Sequence, residues 1–114
     1  MKIVGVIAEY NPFHLGHEYQ LRRAREISGA DYVAVCMSGS FTQRGEAACM
    51  DKWTRVAVAL RCGADAVFEL PAMFAVRTAD KFALGGTAIL GGIGCDALRF
   101  SSACAQRRVI RARV

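Results

Sequence analysis

The only two histidines of the chain sit three residues apart, as His14-Leu15-Gly16-His17, just after the polar stretch Glu9-Tyr10-Asn11-Pro12-Phe13. Residues i and i+3 share one face of a first helical turn, so both imidazoles can reach one ligand. A helix start also presents backbone N–H groups without intrahelical acceptors and a partial positive charge, which suits an anion. Gly16 removes the side chain that would hold a phosphate away from the backbone. Imidazole donates to phosphate oxygens whether neutral or protonated and gains charge at little cost near pH 7. Displacement at phosphorus depends on such positioning and charge stabilisation more than on covalent help. For one histidine, an ordinary packed or solvated helix residue is the simpler explanation; a pair flanking a glycine at a strand-to-helix turn favours a phosphate site. Zinc is the competing use, but Glu9 and Glu18 are the only further candidates nearby and a third proper ligand is missing, so no metal is assigned.

The elements that must position this pair follow from periodicity. Residues 2–8 (KIVGVIA) are a short, nearly all-apolar run, as a strand buried on both faces should be. His17, Leu21, Ala24 and Ser28 fall on one helical stripe, with Arg22, Arg23 and Arg25 turned elsewhere, and the helix stops near Ser28-Gly29. Residues 32–36 form a second buried strand, and residues 38–50 a long loop of a kind uncommon unless functional. Asp51 caps a second helix whose apolar face is Trp53, Val56, Ala57 and Leu60, which places Trp53 in the core; Gly63 ends it. Residues 66–70 are a third strand stopped by Pro71. Thr78 caps a third helix with Phe82, Gly85, Gly86 and Ile89 inward, the glycines marking a close approach to the sheet, and Gly91-Gly92 close it. Residues 96–100 give a fourth strand. The order β-α-β-α-β-α-β predicts an α/β fold, a Rossmann-like open parallel sheet covered on both faces. Ligands in such sheets bind beyond the carboxyl ends of the strands, at the switch point, which is where the histidines fall. No internal repeat is evident beyond this alternation.

Composition bounds the rest. A chain of 114 residues is one domain or a piece of one. With 54% apolar and 22% charged residues and two prolines, it holds a core and is not wholly disordered. No apolar run approaches the roughly 18 residues of a spanning helix, and the first residues lack a signal-peptide cleavage region, so no membrane association and a cytoplasmic location are expected. The net charge of +5 is a local property. Acids and bases balance through residue 98, and the surplus lies in Arg99, Arg107, Arg108, Arg111 and Arg113, a stretch taken as solvated rather than as an RNA contact. Cysteines at 36, 49, 62, 95 and 104 are odd in number and form no CxxC pair; buried free thiols are expected.

The HxGH signature after a first strand resembles the HIGH-type nucleotidylyltransferase superfamily. The stretch from Gly5 to His17 (GVIAEYNPFHLGH), with residues 37–46 (MSGSFTQRGE), Asp51-Lys52-Trp53 and Glu69-Leu70-Pro71, resembles the tRNA(Met) cytidine acetate ligase family almost continuously over residues 1–98. The resemblance implies ATP as substrate, with Mg2+, and acetate and tRNA(Met) as partners. Acetate is activated as acetyl-adenylate, and the acetyl group passes to N4 of the wobble cytidine of elongator tRNA(Met). It implies an ATP site in Ile7, Ala8, Glu9, Tyr10, Asn11, Pro12, Phe13, His14, Leu15, Gly16, His17, Glu18, Tyr19 and Gln20. Within it His14 and His17 would be catalytic, binding phosphates and stabilising charge during attack on the α-phosphate. Gln43, Arg44 and Glu46 either contact the acyl-adenylate or tRNA or form a salt-bridged surface loop. Tyr10 either stacks on adenine or packs beneath its loop; packing is favoured for Phe13.

The resemblance also has an end. Members of that family are several times longer and carry a later ISxxIR-like motif and a tRNA-binding region without counterpart here. Where they typically read FGSE, this chain reads Phe100-Ser101-Ser102-Ala103, and residues 104–114 match nothing in the family. The charge imbalance begins at the same point. The expectation is a nucleotidylyltransferase-like unit over residues 1–100, truncated after about four strands, and an aberrant basic tail over 101–114 from a frameshift or truncation, with a divergent natural C-terminus as the alternative. An inactive or weakly nucleotide-binding fragment, or a different HxGH nucleotidylyltransferase, are the other functional readings.

Overall fold

The structure, a computed structural model, describes residues 2–10, 13, 15–41, 45–75, 79–100 and 109–110. Its elements are β1 (Ile3–Ala8), α1 (Leu15–Ser28), β2 (Tyr32–Ser38), α2 (Lys52–Arg61), β3 (Ala66–Leu70), α3 (Ala72–Ala75), α4 (Ala79–Gly92), β4 (Ala97–Phe100) and β5 (Val109–Ile110). The sheet runs β3-β2-β1-β4-β5. The first four strands are parallel, and the two-residue β5 adds an antiparallel edge to β4. The α/β parallel sheet expected from the alternation is therefore present, with that short fifth strand in addition. Successive strands build outward from β1 to β2 and β3, then return to place β4 on its other side. The carboxyl ends of β1 and β4 flank the switch point.

Alternation along β1 feeds two cores. Val4, Val6 and Ala8 pack with Val33, Val35 and Met37 of β2 beneath Leu21 and Ala24 of α1 and Ala59 of α2. On the opposite face Ile7, Ala34, Cys36 and Leu98 pack with Leu70 and with Phe82 and Leu90 of α4. The close helix-to-sheet approach is real at Gly86, where a Cβ would stand 2.8–3.0 Å from three atoms of the Ile7 side chain.

The three turns into β2, β3 and β4 share one construction. They read Gly29-Ala30-Asp31, Gly63-Ala64-Asp65 and Gly94-Cys95-Asp96. Each glycine takes a positive φ (64°, 124° and 88°), ending the preceding helix in a conformation that costs glycine least. The middle residue is buried. Each Asp N–H donates to a neighbouring strand's entry carbonyl, of Lys2, Val33 and Ile3 in turn, at 2.8 Å in every case. Each carboxylate then accepts an N–H from the same residue, Lys2 at 3.0 Å, Val33 at 2.8 Å and Ile3 at 2.8 Å. So a local repeat exists after all, too short and too dispersed to stand out as sequence similarity.

Several expectations need correction. Trp53 is 72% exposed and Leu60 44%, so neither is core; α2 buries Arg55 and Ala59, with Val56 packed at the margin. The stripe facing the sheet is turned because Arg55 finds carbonyl partners there. The short α3 follows Pro71 directly, β2 runs on to Ser38, and Cys49 is exposed and Cys62 half-buried rather than buried thiols. No disulfide joins the described cysteines. Thr78 and Cys104 lie outside the described residues.

Candidate functional site

All parallel strands end at one edge of the sheet, and the loop from β1 to α1 leaves that edge beside the switch point. Tyr10 turns the chain there with φ of 53°, the one positive φ at a non-glycine among the described residues. Such a conformation in a bulky residue is held only by its surroundings, and strain of this kind clusters at functional sites. The surroundings are visible. The Tyr10 side chain is 1% exposed and packs beneath the loop in the α1-side core. Its ring meets Phe13 at 4.7 Å and His17 at 4.9 Å between centroids, and Phe13 meets His17 at 5.5 Å. Phe13 packs, as expected of it. Burial pushes the Tyr10 phenol far above its ordinary pKa, and its hydroxyl has no hydrogen-bond partner among the described residues.

His17 therefore stands half-buried in the first turn of α1, its ring plane set by two aromatic neighbours. Gly16 and Leu15 beside it are exposed, Glu18 and Gln20 half-buried, and Tyr19 exposed with the Arg22 guanidinium 5.9 Å from its ring. Ile7 and Ala8 are buried in the sheet, and Glu9 is half-buried at its exit. His14, Asn11 and Pro12 lie outside the described residues.

The two described ends of the second loop pair with each other. Phe41 bridges Ala47 in antiparallel fashion, the Ala48 N–H donates to the Ser40 carbonyl at 2.9 Å, and Gly45 has φ of 79°. Glu46 is exposed on it; Gln43 and Arg44 lie outside the described residues. Ser38, at the end of β2, is buried with no partner for its hydroxyl among the described residues.

Sequence reasoning missed Arg55. Its side chain, 1% exposed, reaches from α2 to this edge of the sheet. Nη1 donates to the carbonyls of Glu9 (2.8 Å) and Ser38 (3.1 Å), Nη2 to that of Gly39, and Nε to that of Met50 (3.2 Å). Burial pulls the guanidinium pKa down, with the carboxylates of Glu9, Asp51 and Glu69 opposing; an arginine stays charged regardless. The available signal was an arginine inside the stripe Arg55-Val56-Ala59, which reads from sequence as one more surface charge. Next to it, Lys52 Nζ donates to both carboxylate oxygens of Glu69 at 3.1 and 3.0 Å and lies 5.5 Å from the Trp53 ring. The Glu69 carboxylate occupies the space a Cβ on Gly39 would need. Among the described residues no three His, Cys, Asp or Glu side chains group as a metal site. No described helix is long and apolar enough to cross a membrane.

The arrangement can hold an anion at the start of α1 and orient an imidazole toward it. Known proteins resemble the chain in sequence and fold. The chain is 56% identical over 102 residues to the tRNA(Met) cytidine acetate ligase of Latilactobacillus sakei, covering 90% of this chain and 26% of that protein. It superposes on Thermotoga maritima TmcAL bound with alpha-thio ATP with TM-score 0.80 and 50% identity, covering 83% of this chain and 23% of that one. The apo form of the same protein gives 0.84 and 48%, covering 88% and 24%. The chain spans about a quarter of the length of these relatives. The model of the HIGH nucleotidyl transferase family matches residues 1–112, practically the whole chain, and this protein belongs to that family.

Proposed function

We propose that the chain carries the ATP-binding portion of a tRNA(Met) cytidine acetate ligase. ATP binds along Ile7 to Gln20, with its phosphates at the start of α1. The carboxylate oxygen of acetate attacks the α-phosphorus, the bond to the bridging oxygen of the β-phosphate breaks, and pyrophosphate leaves with the electron pair. The N4 amine of the wobble cytidine then attacks the acetyl carbonyl, loses a proton, and expels AMP. His14 and His17 bind the phosphates and offset the charge that grows as the first displacement proceeds, and the amides from Phe13 to His17 donate to the same oxygens where Gly16 leaves the approach open. Gln43, Arg44 and Glu46 contact the acyl-adenylate or the tRNA from the second loop. Mg2+ would come with the nucleotide, since that ion is commonly bound through substrate phosphates while keeping several of its waters.

The observation that carries this reading is the loop at the switch point, where a strained, buried Tyr10 fixes the ring of His17 at a helix start. The likeness to tRNA(Met) cytidine acetate ligases and to a solved structure bound with alpha-thio ATP supports it. The test is acetate-dependent ATP–pyrophosphate exchange. Exchange that falls about a hundredfold or more in His17→Ala supports the ligase. The length of the relatives favours a second reading, a nucleotide-binding portion without turnover of its own. For that, ATP binding measured by calorimetry persists without exchange and is lost in His17→Ala. Exchange driven by an acceptor other than acetate points to a different nucleotidylyltransferase, and absence of both binding and exchange in folded chain overturns the proposal.

A further inference from the structure

The geometry points to Arg55 as the positioning residue of the nucleotide loop: its guanidinium fixes the peptide plane by which the chain leaves β1, and through it the orientation of His17. This rests on the reading of His17 as a phosphate ligand. The four carbonyls it holds belong to three separate segments, the exits of β1 (Glu9) and β2 (Ser38, Gly39) and the entry to α2 (Met50). Among the described residues no carboxylate stands within ion-pair distance of it. A buried charge is a poor choice for mere adhesion, since well-packed apolar side chains of similar volume commonly hold elements together at least as well. What a planar fork of five donors adds is direction.

That direction has a consequence at Tyr10. The Glu9 carbonyl and the Tyr10 N–H belong to one rigid peptide plane, so fixing the carbonyl fixes the plane from which the Tyr10 φ is measured. At φ of 53° that plane sends the Tyr10 ring down into the core, where it meets both Phe13 and His17. With the carbonyl released, the left-handed conformation loses a support and relaxes toward ordinary φ, and the imidazole loses its neighbour. Arg55 thus acts on the site through Glu9 and Tyr10 without touching a ligand.

Arg25 supplies the comparison. It too binds carbonyls and a carboxylate, of Asp31 (3.2 Å), Gly63 (2.9 Å) and Asp65 (2.7 Å), but at the opposite edge of the sheet. Arg55→Lys and Arg25→Lys are compared in 15N-labelled chain without nucleotide, followed by ATP titration. Arg55→Lys is expected to shift or broaden the amides of Tyr10, Phe13, Gly16 and His17 and the His17 ring protons, and to weaken ATP binding about tenfold or more. Arg25→Lys is expected to lower the melting temperature while leaving those signals and the affinity in place. Site resonances that stay put in Arg55→Lys, or move equally in Arg25→Lys, overturn the assignment. If the unsubstituted chain binds no ATP, the nucleotide reading fails, while the resonances still decide the role of Arg55. Should Arg55→Lys not fold, the unsubstituted chain decides: slowly exchanging guanidinium protons coupled through hydrogen bonds to the Glu9 and Ser38 carbonyl carbons support the assignment, and their absence overturns it.

Discussion

The Tyr10 ring meets the His17 imidazole edge to face, 4.9 Å between centroids with 65° between planes, and it does so with its own hydroxyl buried and unpartnered among the described residues. The ring is thus useful to the fold and the hydroxyl is a cost. A buried polar group without a partner forfeits about 1–3 kcal/mol of hydration. Tyr10→Phe should therefore raise stability by about 1 kcal/mol in urea unfolding. Tyr10→Ala, which removes the packing as well, should lose about 3–5 kcal/mol. A loss above about 1 kcal/mol in Tyr10→Phe would mean that the hydroxyl has a partner the geometry does not reveal.

The contrast between Tyr10 and Trp53 shows where sequence was informative. Strand and helix periods are local, so the β-α alternation, the Asp51 cap and the place of His17 in the first turn of the helix after β1 could be read directly. The side taken by a marginal helix is decided by tertiary partners. In α2 the apolar pattern points Trp53 and Leu60 inward, yet the carbonyls of Glu9, Ser38, Gly39 and Met50 draw Arg55 to the sheet and turn Trp53 to solvent. Those acceptors lie up to 46 residues away in sequence, beyond any local pattern. The left-handed turn at Tyr10 was equally hidden, because nothing about a tyrosine announces a positive φ. The recurring Gly-Ala/Cys-Asp corner is a middle case: three residues long, it acquires meaning only when the three carboxylates are seen on neighbouring strand entries.

Two glycines of α4 should respond to alanine with opposite signs. At Gly86 a Cβ would press on Ile7, whose buried side chain has no room to yield between the helix and the sheet. Gly86→Ala should destabilise by about 1–3 kcal/mol through overpacking. At Gly91 a Cβ would meet nothing within 4 Å. There the gain in helix propensity and the smaller entropy of the unfolded chain prevail, and Gly91→Ala should stabilise by about 0.4–1 kcal/mol. Equal effects in thermal melts of the two variants would contradict the packing at Ile7.

Asp51 gives the fold an acid-sensitive point. Its carboxylate accepts from the Thr54 hydroxyl at 2.6 Å and the Thr54 N–H at 2.9 Å, and these bonds, the hydroxyl's first, hold its pKa below the ordinary 3.8. In that window the unfolded chain binds the proton more readily, so the contribution is complete above the ordinary value and lost as pH falls through the folded one. Asn caps about as well as Asp but does not titrate. Asp51→Asn should match the unsubstituted chain at neutral pH and show a shallower fall in melting temperature below about pH 4. Identical acid limbs would remove Asp51 from the account.

The buried thiols contribute to the alkaline limb and report on opening of the fold. Burial pushes the Cys36 thiol up to about 11 from 9.0, and burial together with the Asp96 charge raises that of Cys95, whereas Cys49 is exposed. The thiolate is the reactive form, and at pH 8 a group titrating near 11 is ionised about one part in a thousand. Iodoacetamide at pH 8 should thus label Cys49 rapidly and reach Cys36 and Cys95 only as the sheet opens, as peptide mass mapping would show. The same shift has a sign for stability. Between the unfolded and folded values the native state binds the extra proton, so stability present below about pH 9 declines toward pH 11, by an amount on the order of 2–3 kcal/mol. The buried Tyr10 phenol adds a decline of the same sign above about pH 10, so the measurement belongs in the Tyr10→Phe background. There Cys36→Ala should flatten the slope between about pH 9 and pH 10.5 despite its own cavity cost at neutral pH. An unchanged slope, or rapid native-state labelling of Cys36, would show that β2 is not sealed between its two layers.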